Sequence, residues 1–177
     1  MPCQAKRKFL SFKAQKKLHS LEASQFIEFL AYSGVRIDEA RHITGYHIEE
    51  SRIRIAGGAT GTKNHESRYV PIIPAMSGLI KRINPESGRP LFALKSPREA
   101  LTNACKRLNI PHVRIHDLRH FFATTCIESG IDFATVGKWL GHKDGGILAA
   151  RTYGHIRDDH SQTDNGAGVV FYSPPVG

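Results

Sequence analysis

Apolar residues at helical spacing mark the first element of the chain. Phe26, Phe29 and Leu30 fall on one face of a helix that the pattern places between Ser20 and Ser33. Gly34 follows directly, and a glycine in that place is typical of a helix C-terminus. We therefore expect a helix that ends at Gly34.

A second helix is predicted to begin near Arg36. Asp38 and Glu39 would lie in its first turn, where the positive end of the helix dipole favours acidic side chains. The apolar residues of its buried stripe are Ile37, Ala40 and Ile43.

Two later segments alternate polar and apolar residues, as half-buried strands do. They are Arg52 to Ala56 and Ser67 to Ile72, and we expect them to pair as a hairpin. The glycine-rich turn between them carries Lys63 near its tip.

A third helix is predicted from the run Ser96 to Glu99, which matches a capping box with Pro97 at the first helical position. Its inner face would consist of Leu101, Ala104 and Leu108.

Two more helices are predicted from their end signals. One runs from about Ile115 to Ser129 and is stopped by Gly130. The other follows Asp132, a suitable N-terminal cap, and reaches Leu140 just before Gly141.

Helices therefore dominate, and the predicted fold class is mainly α with a small antiparallel β-sheet (α+β). A chain of 177 residues, 40% of them hydrophobic, favours one domain with tails. We expect a basic N-terminal arm over residues 1–19, one folded domain over 20–157 and a C-terminal tail over 158–177. The arm holds several lysines and no acidic residue, which suits contact with phosphates.

The charge balance narrows the class of partner. A formal net charge of +9 favours a polyanion, above all nucleic acid, because neutralising phosphates releases bound counterions. No long apolar run suggests a membrane span or a secretion signal, so we expect a cytoplasmic protein without membrane contact. Cys3, Cys105 and Cys126 are scattered without a CxxC pair, and we interpret them as reduced thiols without a functional role.

Several polar residues are candidates for phosphate chemistry. Arg36 would project from a helix N-terminus, where backbone N–H groups also favour anions. His116 and Arg119 are three apart on a predicted helix and so share a face, and His142 and Tyr153 follow later in the chain. Taken alone, each is more often an ordinary polar or packing residue.

A metal site is the competing interpretation of the histidines. His112, His116 and His120 recur every four residues, a spacing that can align imidazoles for zinc. No cysteine or carboxylate stands at matching spacing to complete such a site, although Asp117 is nearby. We therefore expect no metal and no cofactor.

The order of these motifs resembles one family. The strings YSGVRIDEARHIT, TKNHESRYVPI, HDLRHFFAT, KWLGHKDGG and RTYGHI are similar to the successive motifs of the tyrosine recombinases, or phage integrases. The resemblance covers roughly residues 20–156, so it implies that the folded domain is a tyrosine recombinase catalytic domain.

The resemblance also implies roles for particular residues. Arg36 and Arg119 would be the two catalytic arginines, Lys63 the hairpin lysine, and His116 and His142 the two catalytic histidines. Tyr153 would be the nucleophile that forms a 3′-phosphotyrosyl bond to DNA. Of two further family-like positions, His155 and Glu39, the second would hold the local geometry beneath Arg36.

Two departures from the family pattern matter. His142 and Tyr153 are about two residues further apart than usual, and we place the extra length in a flexible loop at Gly145-Gly146. The family also carries an N-terminal helical clamp domain, for which this chain offers only the basic arm. The complete reaction would require four protomers on two duplexes, with the chain monomeric by itself and Val169 to Tyr172 as a candidate docking segment.

Three alternatives stay open. The chain could be an inactive integrase remnant that only binds DNA, or an enzyme with type IB topoisomerase activity. The third is a metal-binding regulator that uses the spaced histidines.

Overall fold

The computed structural model describes residues 21–57, 67–142, 146–152 and 154. The predictions for the basic arm, the hairpin tip with Lys63, Tyr153, His155 and the C-terminal tail fall on residues outside these ranges.

The described fold contains six α-helices with defined bounds, a 3-10 helix at Gly45–His47 and a two-stranded sheet. The helices are α1 (Leu21–Ser33), α2 (Ile37–Ala40), α3 (Pro74–Ile83), α4 (Arg98–Leu108), α5 (Ile115–Glu128) and α6 (Phe133–Leu140). The strands are β1 (Arg52–Ile55) and β2 (Arg68–Pro71), and residues 147–152 are also helical. The predicted fold class, mainly α with a small antiparallel sheet, is confirmed.

Helix α1 lies at the centre of the core, packed against α3, α4 and α5. Phe26 and Phe29 are fully buried. Phe92 stacks on Phe26 at 4.4 Å between ring centroids and meets Phe29 edge-on at 5.6 Å. The apolar face predicted for this helix is therefore the one that the rest of the domain covers.

The hairpin pairs β1 with β2 in antiparallel register, with Ile53 opposite Val70. Ile53, Ile55 and Val70 are buried, as the alternating pattern predicted. Helix α6 packs against β2, so the sheet is attached to the helical core through its second strand.

The predicted helix ends are confirmed where glycine or aspartate marks them. Gly34 and Gly141 adopt left-handed φ values of +63° and +72° after α1 and α6. A Cβ on Gly34 would lie 2.4 Å from the Phe122 ring, so no larger residue fits there without movement. Asp132 caps α6 by accepting a hydrogen bond from the Thr135 amide at 2.8 Å.

The predicted capping box at Ser96 is wrong. Helix α4 starts one residue later than expected, so Pro97 takes the cap position and makes no side-chain cap hydrogen bond. The Ser96 hydroxyl instead accepts a long hydrogen bond of 3.3 Å from the Arg98 amide. The inner face of the helix is as predicted, with Leu101 and Ala104 buried.

Helix α3 was not predicted, although its signals were present. Pro74 occupies its first turn, where a missing N–H costs nothing. Met76 and Leu79 are fully buried at helical spacing, and Asn84 ends the helix with a left-handed φ of 51°.

Within the described ranges, no helix is long and apolar enough to cross a membrane.

Candidate active site

Arg119 is the buried anchor of the candidate site. Its residue is only 6% exposed on the inner face of α5. One terminal nitrogen donates to the Gly34 carbonyl at 2.7 Å and the other donates to the Leu140 carbonyl at 2.6 Å. These carbonyls stand at the C-terminal ends of α1 and α6, where the helix dipoles are negative. The guanidinium therefore joins two helix ends that are distant in sequence.

His142 lies beside this guanidinium. The chain leaves α6 through the left-handed Gly141, and the His142 amide donates to the Gly137 carbonyl at 2.9 Å. The tight turn brings His142 Nε2 to 3.5 Å from an Arg119 terminal nitrogen. Two of the candidate residues are thus in direct proximity.

Arg36 takes the N-terminal cap position of α2, a helix that the sequence predicted to begin near this residue. Its amide donates to Glu39 Oε2 at 2.7 Å, and its side chain donates to Oε1 at 3.2 Å. The Arg36 side chain is 44% exposed whereas the Glu39 side chain is 4% exposed. The guanidinium is therefore held from below and open to solvent above.

Glu39 is held by a second arginine that the sequence did not single out. Arg68 on β2 donates to both carboxylate oxygens, at 2.8 and 2.6 Å. Burial raises the pKa of Glu39, but the hydrogen bonds and charges of Arg68 and Arg36 outweigh burial and hold the pKa below its ordinary value. Glu39 is consequently an anion at neutral pH, and its expected role beneath Arg36 agrees with these contacts.

His116 lies on α5, one turn before Arg119. Partial burial and the positive charges of Arg119, Arg114 and Arg36 lower its pKa, while Asp117 opposes them. Arg119 bonds the carbonyl of Gly34, two residues before Arg36, and His116 lies one turn from Arg119 on the same helix, so the three residues lie in one region of the fold. A lowered pKa keeps the imidazole neutral and able to accept a proton at neutral pH.

The spaced histidines form a ring contact. His116 and His120 meet edge-on at 4.7 Å between centroids. Among the described residues, no group of three histidine, cysteine or carboxylate side chains is placed to hold a metal ion.

The segment before Tyr153 packs closely against α6. A Cβ on Gly137 would lie 2.9 Å from the Gly146 Cα, and one on Gly146 would lie 2.7 Å from the Ala134 Cα. The Ala150 amide then donates to the Gly146 carbonyl at 2.8 Å as the chain enters the helical residues 147–152. The sequence pattern predicts a flexible loop at Gly146, but Gly146 is a packed residue at the start of a helix.

The structure thus brings Arg36, His116, Arg119 and His142 to one region, whereas Lys63 and Tyr153 lie outside the described residues. Arg68 was missed because its contacts are to residues 29 and 71 positions away. The only sequence signal for it was an arginine at the start of a strand.

The positive charge of the arginines determines which ligands this region can bind. The guanidinium of Arg36 stands over the buried carboxylate of Glu39, and the guanidinium of Arg119 is held by two backbone carbonyls beside His142. Both arginines are permanently charged, and the imidazole of His116 is neutral. Planar guanidiniums match the oxygens of phosphate, so the region is suited to bind and polarise a phosphodiester.

Comparisons with known proteins show the family of the chain. Residues 7–160 match the model of the phage integrase family. The tyrosine recombinase XerD of Lacticaseibacillus casei is 27% identical over 153 residues, which cover 75% of this chain and 50% of that protein. The chain therefore spans about half the length of this curated relative.

Solved structures show the same fold. The catalytic domain of bacteriophage HP1 integrase matches with a TM-score of 0.67 and 21% identity, over 91% of this chain and 92% of that domain. The XerH site-specific recombinase bound to difH substrate matches with a TM-score of 0.65 and 20% identity, over 89% of this chain and 50% of that one. With the family model matching most of its length, the chain belongs to the phage integrase family, and its fold is that of a tyrosine recombinase catalytic domain.

Proposed function

We propose that the chain cleaves and rejoins double-stranded DNA at a specific site, as a tyrosine recombinase, with Tyr153 as the nucleophile. The observation that carries the proposal is the convergence of Arg36, Arg119, His116 and His142 around two helix ends. Cleavage and rejoining of one phosphodiester uses each of these groups.

The two arginines would bind the non-bridging oxygens of the phosphate. The transition state places more negative charge on these oxygens than the ground state does, so fixed guanidiniums stabilise it preferentially. Arg119 is pre-organised by the Gly34 and Leu140 carbonyls, and Arg36 by Glu39. Neither has to reorganise much when the phosphate binds. His142, next to Arg119, would orient the same phosphate.

Tyr153 would attack as its phenolate. Forming a phenolate at neutral pH from a group of pKa ≈ 10 costs about 4 kcal/mol, which a positive pocket and an adjacent base offset. His116 is the candidate base because its pKa is lowered and its imidazole is neutral. It would take the phenolic proton as the new bond forms.

The reaction conserves the phosphodiester bond energy. The Tyr153 oxygen bonds to phosphorus, the bond from phosphorus to the 5′ oxygen breaks, and Lys63 supplies the proton that the departing 5′-hydroxyl needs. A 5′-hydroxyl of the same or another strand can then attack the phosphotyrosyl bond and restore the DNA. No ATP is consumed in this cycle.

A second basic surface supports contact with DNA away from the reacting phosphate. An open concavity beside α4 is lined by three cations and one carboxylate, together with neutral polar side chains: Arg41, Arg98, Lys106, Glu99, Ser96, Thr102 and Asn103. Cations and hydroxyls in such a concavity suit contacts to the sugar-phosphate backbone, which fix the register of a protein on a duplex. The overall charge of +9 adds a long-range attraction.

We extend the proposal to organisation. Residues 20–157 would be the catalytic domain, with the basic arm of residues 1–19 along the phosphates. Strand exchange would require a homotetramer on two duplexes, and the chain alone would be a monomer. Gel filtration that gives a stable tetramer without DNA would contradict the last point.

Covalent trapping tests the proposal directly. The chain is mixed with a pool of duplexes randomised in sequence around one 5′-bridging phosphorothiolate, whose thiol leaving group cannot re-attack efficiently. We expect a protein–DNA adduct on denaturing gels that disappears in Tyr153→Phe and in Arg119→Ala. Tyr46→Phe is the matched control, because Tyr46 is 68% exposed and outside the candidate site.

Other results of these experiments would support one of the three alternative functions. DNA binding without any adduct would indicate either an inactive remnant or a domain that needs a clamp domain or its own site, and fusion of a helical clamp domain would separate the two. Tyr153-dependent relaxation of supercoiled plasmids regardless of their sequence would indicate topoisomerase activity. Stoichiometric zinc in the purified protein, lost on substitution of His112 or His120, would indicate the metal-binding regulator.

A further inference from the structure

We infer that Arg68 is a positioning residue for the proposed reaction. It fixes the position of the Arg36 guanidinium relative to the turn that carries His142. The inference rests on the proposed function for its chemical purpose. Arg68 itself is not assigned to the substrate, because its side chain is 15% exposed and its donors point to protein groups.

The first contact of Arg68 is with the carboxylate beneath Arg36. Glu39 accepts hydrogen bonds from Arg68 at 2.8 and 2.6 Å and from the Arg36 amide at 2.7 Å. The bond from the Arg36 guanidinium is longer, at 3.2 Å. The shorter side-chain bonds of Glu39 are therefore those to Arg68.

This division has an electrostatic consequence. A buried carboxylate that faced Arg36 alone would compete with a DNA phosphate for the same guanidinium. With Arg68 in place, two positive charges share one negative charge, and Arg36 retains net attraction for an incoming anion. Arg68 thus keeps Glu39 as a support for Arg36 without letting it neutralise Arg36.

The second contact is with the turn after α6. The Arg68 Nε donates to the Trp139 carbonyl at 2.8 Å. A Cβ on Gly141 would lie 3.1 Å from Arg68 Cδ and Nε, so the arginine side chain lies directly against the glycine that precedes His142. One side chain therefore touches the support of Arg36 and the turn of His142.

Only arginine can make this set of contacts. Its five N–H groups lie in a rigid plane, so two nitrogens can grip a carboxylate while the third reaches a carbonyl. A lysine at the same place keeps the charge but presents its three N–H donors from a single nitrogen. Arg68→Lys therefore separates geometry from charge.

The experiment compares four variants in the duplex pool used for covalent trapping. They are Arg68→Lys, Arg68→Gln, the double variant Arg68→Gln with Glu39→Gln, and Arg82→Gln. Arg82→Gln is the matched control. Arg82 on α3 pairs with Glu28 on α1, so this substitution removes an inter-helix ion pair that lies outside the candidate site. Adduct rate, half-saturating DNA concentration, urea midpoint and amide hydrogen exchange are measured for each.

For Arg68→Lys we expect the adduct rate at saturating DNA to fall on the order of 100-fold, as misplaced catalytic groups do, with little change in half-saturating DNA. Exchange at the Arg36 and His142 amides should accelerate while that of α1 does not. The double variant should recover the urea midpoint that Arg68→Gln loses, because no unpaired buried charge remains, yet stay slow.

Two results would overturn the inference. One is an Arg68→Lys rate equal to that of wild type and of Arg82→Gln. The other is full recovery of rate together with stability in the double variant, which would make Arg68 a stability residue only. If wild type forms no adduct, the proposed function fails, and the exchange of the Arg36 and His142 amides still decides whether Arg68 positions them.

Discussion

Replacing Gly34 with alanine would place a methyl group in space that the Phe122 ring occupies. Gly34 has a left-handed φ of +63°, and an added Cβ would lie 2.4 Å from Phe122 Cδ1 and 2.9 Å from Leu140 Cδ2. The backbone conformation alone costs an L-residue roughly 1–2 kcal/mol. Forcing a group into a packed core costs about 1–3 kcal/mol more. We therefore expect Gly34→Ala to lower the free energy of unfolding by about 2–5 kcal/mol, a large share of the ~5–15 kcal/mol of a typical domain.

Gly130 provides a matched control for the backbone term. Its φ is +86°, and nothing lies within 4 Å of an added Cβ. Gly130→Ala should therefore show the conformational cost without the overlap, and the two variants should differ by about 1–3 kcal/mol. Urea unfolding followed by Trp139, the only tryptophan, measures both.

A double-mutant cycle locates the overlap. Phe122→Ala alone should cost about 3–5 kcal/mol as a buried aromatic truncation. Combined with Gly34→Ala, the sum should fall short of additivity by the size of the clash, because the ring that the new methyl meets is gone. Equal costs for Gly34→Ala and Gly130→Ala, or strict additivity with Phe122→Ala, would refute this account of why glycine occupies position 34.

Three further predictions follow from the site. Arg119→Lys should lower the unfolding free energy by about 1–3 kcal/mol and abolish the covalent adduct, because a single nitrogen replaces two nitrogens that are fixed in one plane, each bonded to its own carbonyl. Urea titration and trapping measure the two effects. The acid limb of the adduct rate at limiting DNA should lie below pH 6.5, because the pKa of His116 in the free protein is lowered from that value, and His116→Ala should remove the limb. Gly137→Ala should lower the adduct rate strongly and the urea midpoint only slightly. The added Cβ would lie 2.9 Å from the Gly146 Cα and would displace the helical residues before Tyr153.

Each of these has a contradicting result. Normal adduct formation by Arg119→Lys would mean that the fork geometry is dispensable. An acid limb above pH 6.5 would mean that the carboxylate of Asp117 outweighs the arginines. A Gly137→Ala variant that loses much of its unfolding stability and little of its adduct rate would mean that this contact supports the fold and does not position the nucleophile.

The lowered pKa of His116 also makes the stability of the fold depend on pH. The unfolded chain, with its ordinary histidine pKa, binds a proton more readily than the folded one. The contribution of His116 to folding is therefore fully present above about pH 6.5 and is lost as pH falls below that value towards the folded pKa. His116→Ala should flatten this part of the stability profile.

Local patterns predicted most of the elements because their causes are local. The ends of α1 and α6 follow from Gly34, Gly141 and Asp132, whose φ freedom or cap hydrogen bond needs no distant partner. The strand pair follows from alternation. The capping box failed because Ser96 and Pro97 support two starts one residue apart, and the packing of Leu101 and Ala104 does not distinguish between them.

The candidate site was predictable only in part, for the opposite reason. His116 and Arg119 share a helix face by spacing alone, and the family resemblance supplied Arg36 and His142. Arg68 escaped because its importance lies in contacts with Glu39 and Trp139, which come near only after folding. The sequence gives no local reason for an arginine on a strand to hold a helix end.

The backbone carbonyls that hold Arg119 and Arg68 have a consequence for how such a protein can diverge. Arg119 and Arg68 hold the backbone carbonyls of Gly34, Leu140 and Trp139, and a carbonyl is present whatever side chain the residue carries. In a deep mutational scan the exposed face of α6 should therefore tolerate wide variation, whereas Arg119 and Arg68 should not. The surface around the site can therefore change by substitution while the hydrogen bonds from Arg119 and Arg68 to the backbone stay the same.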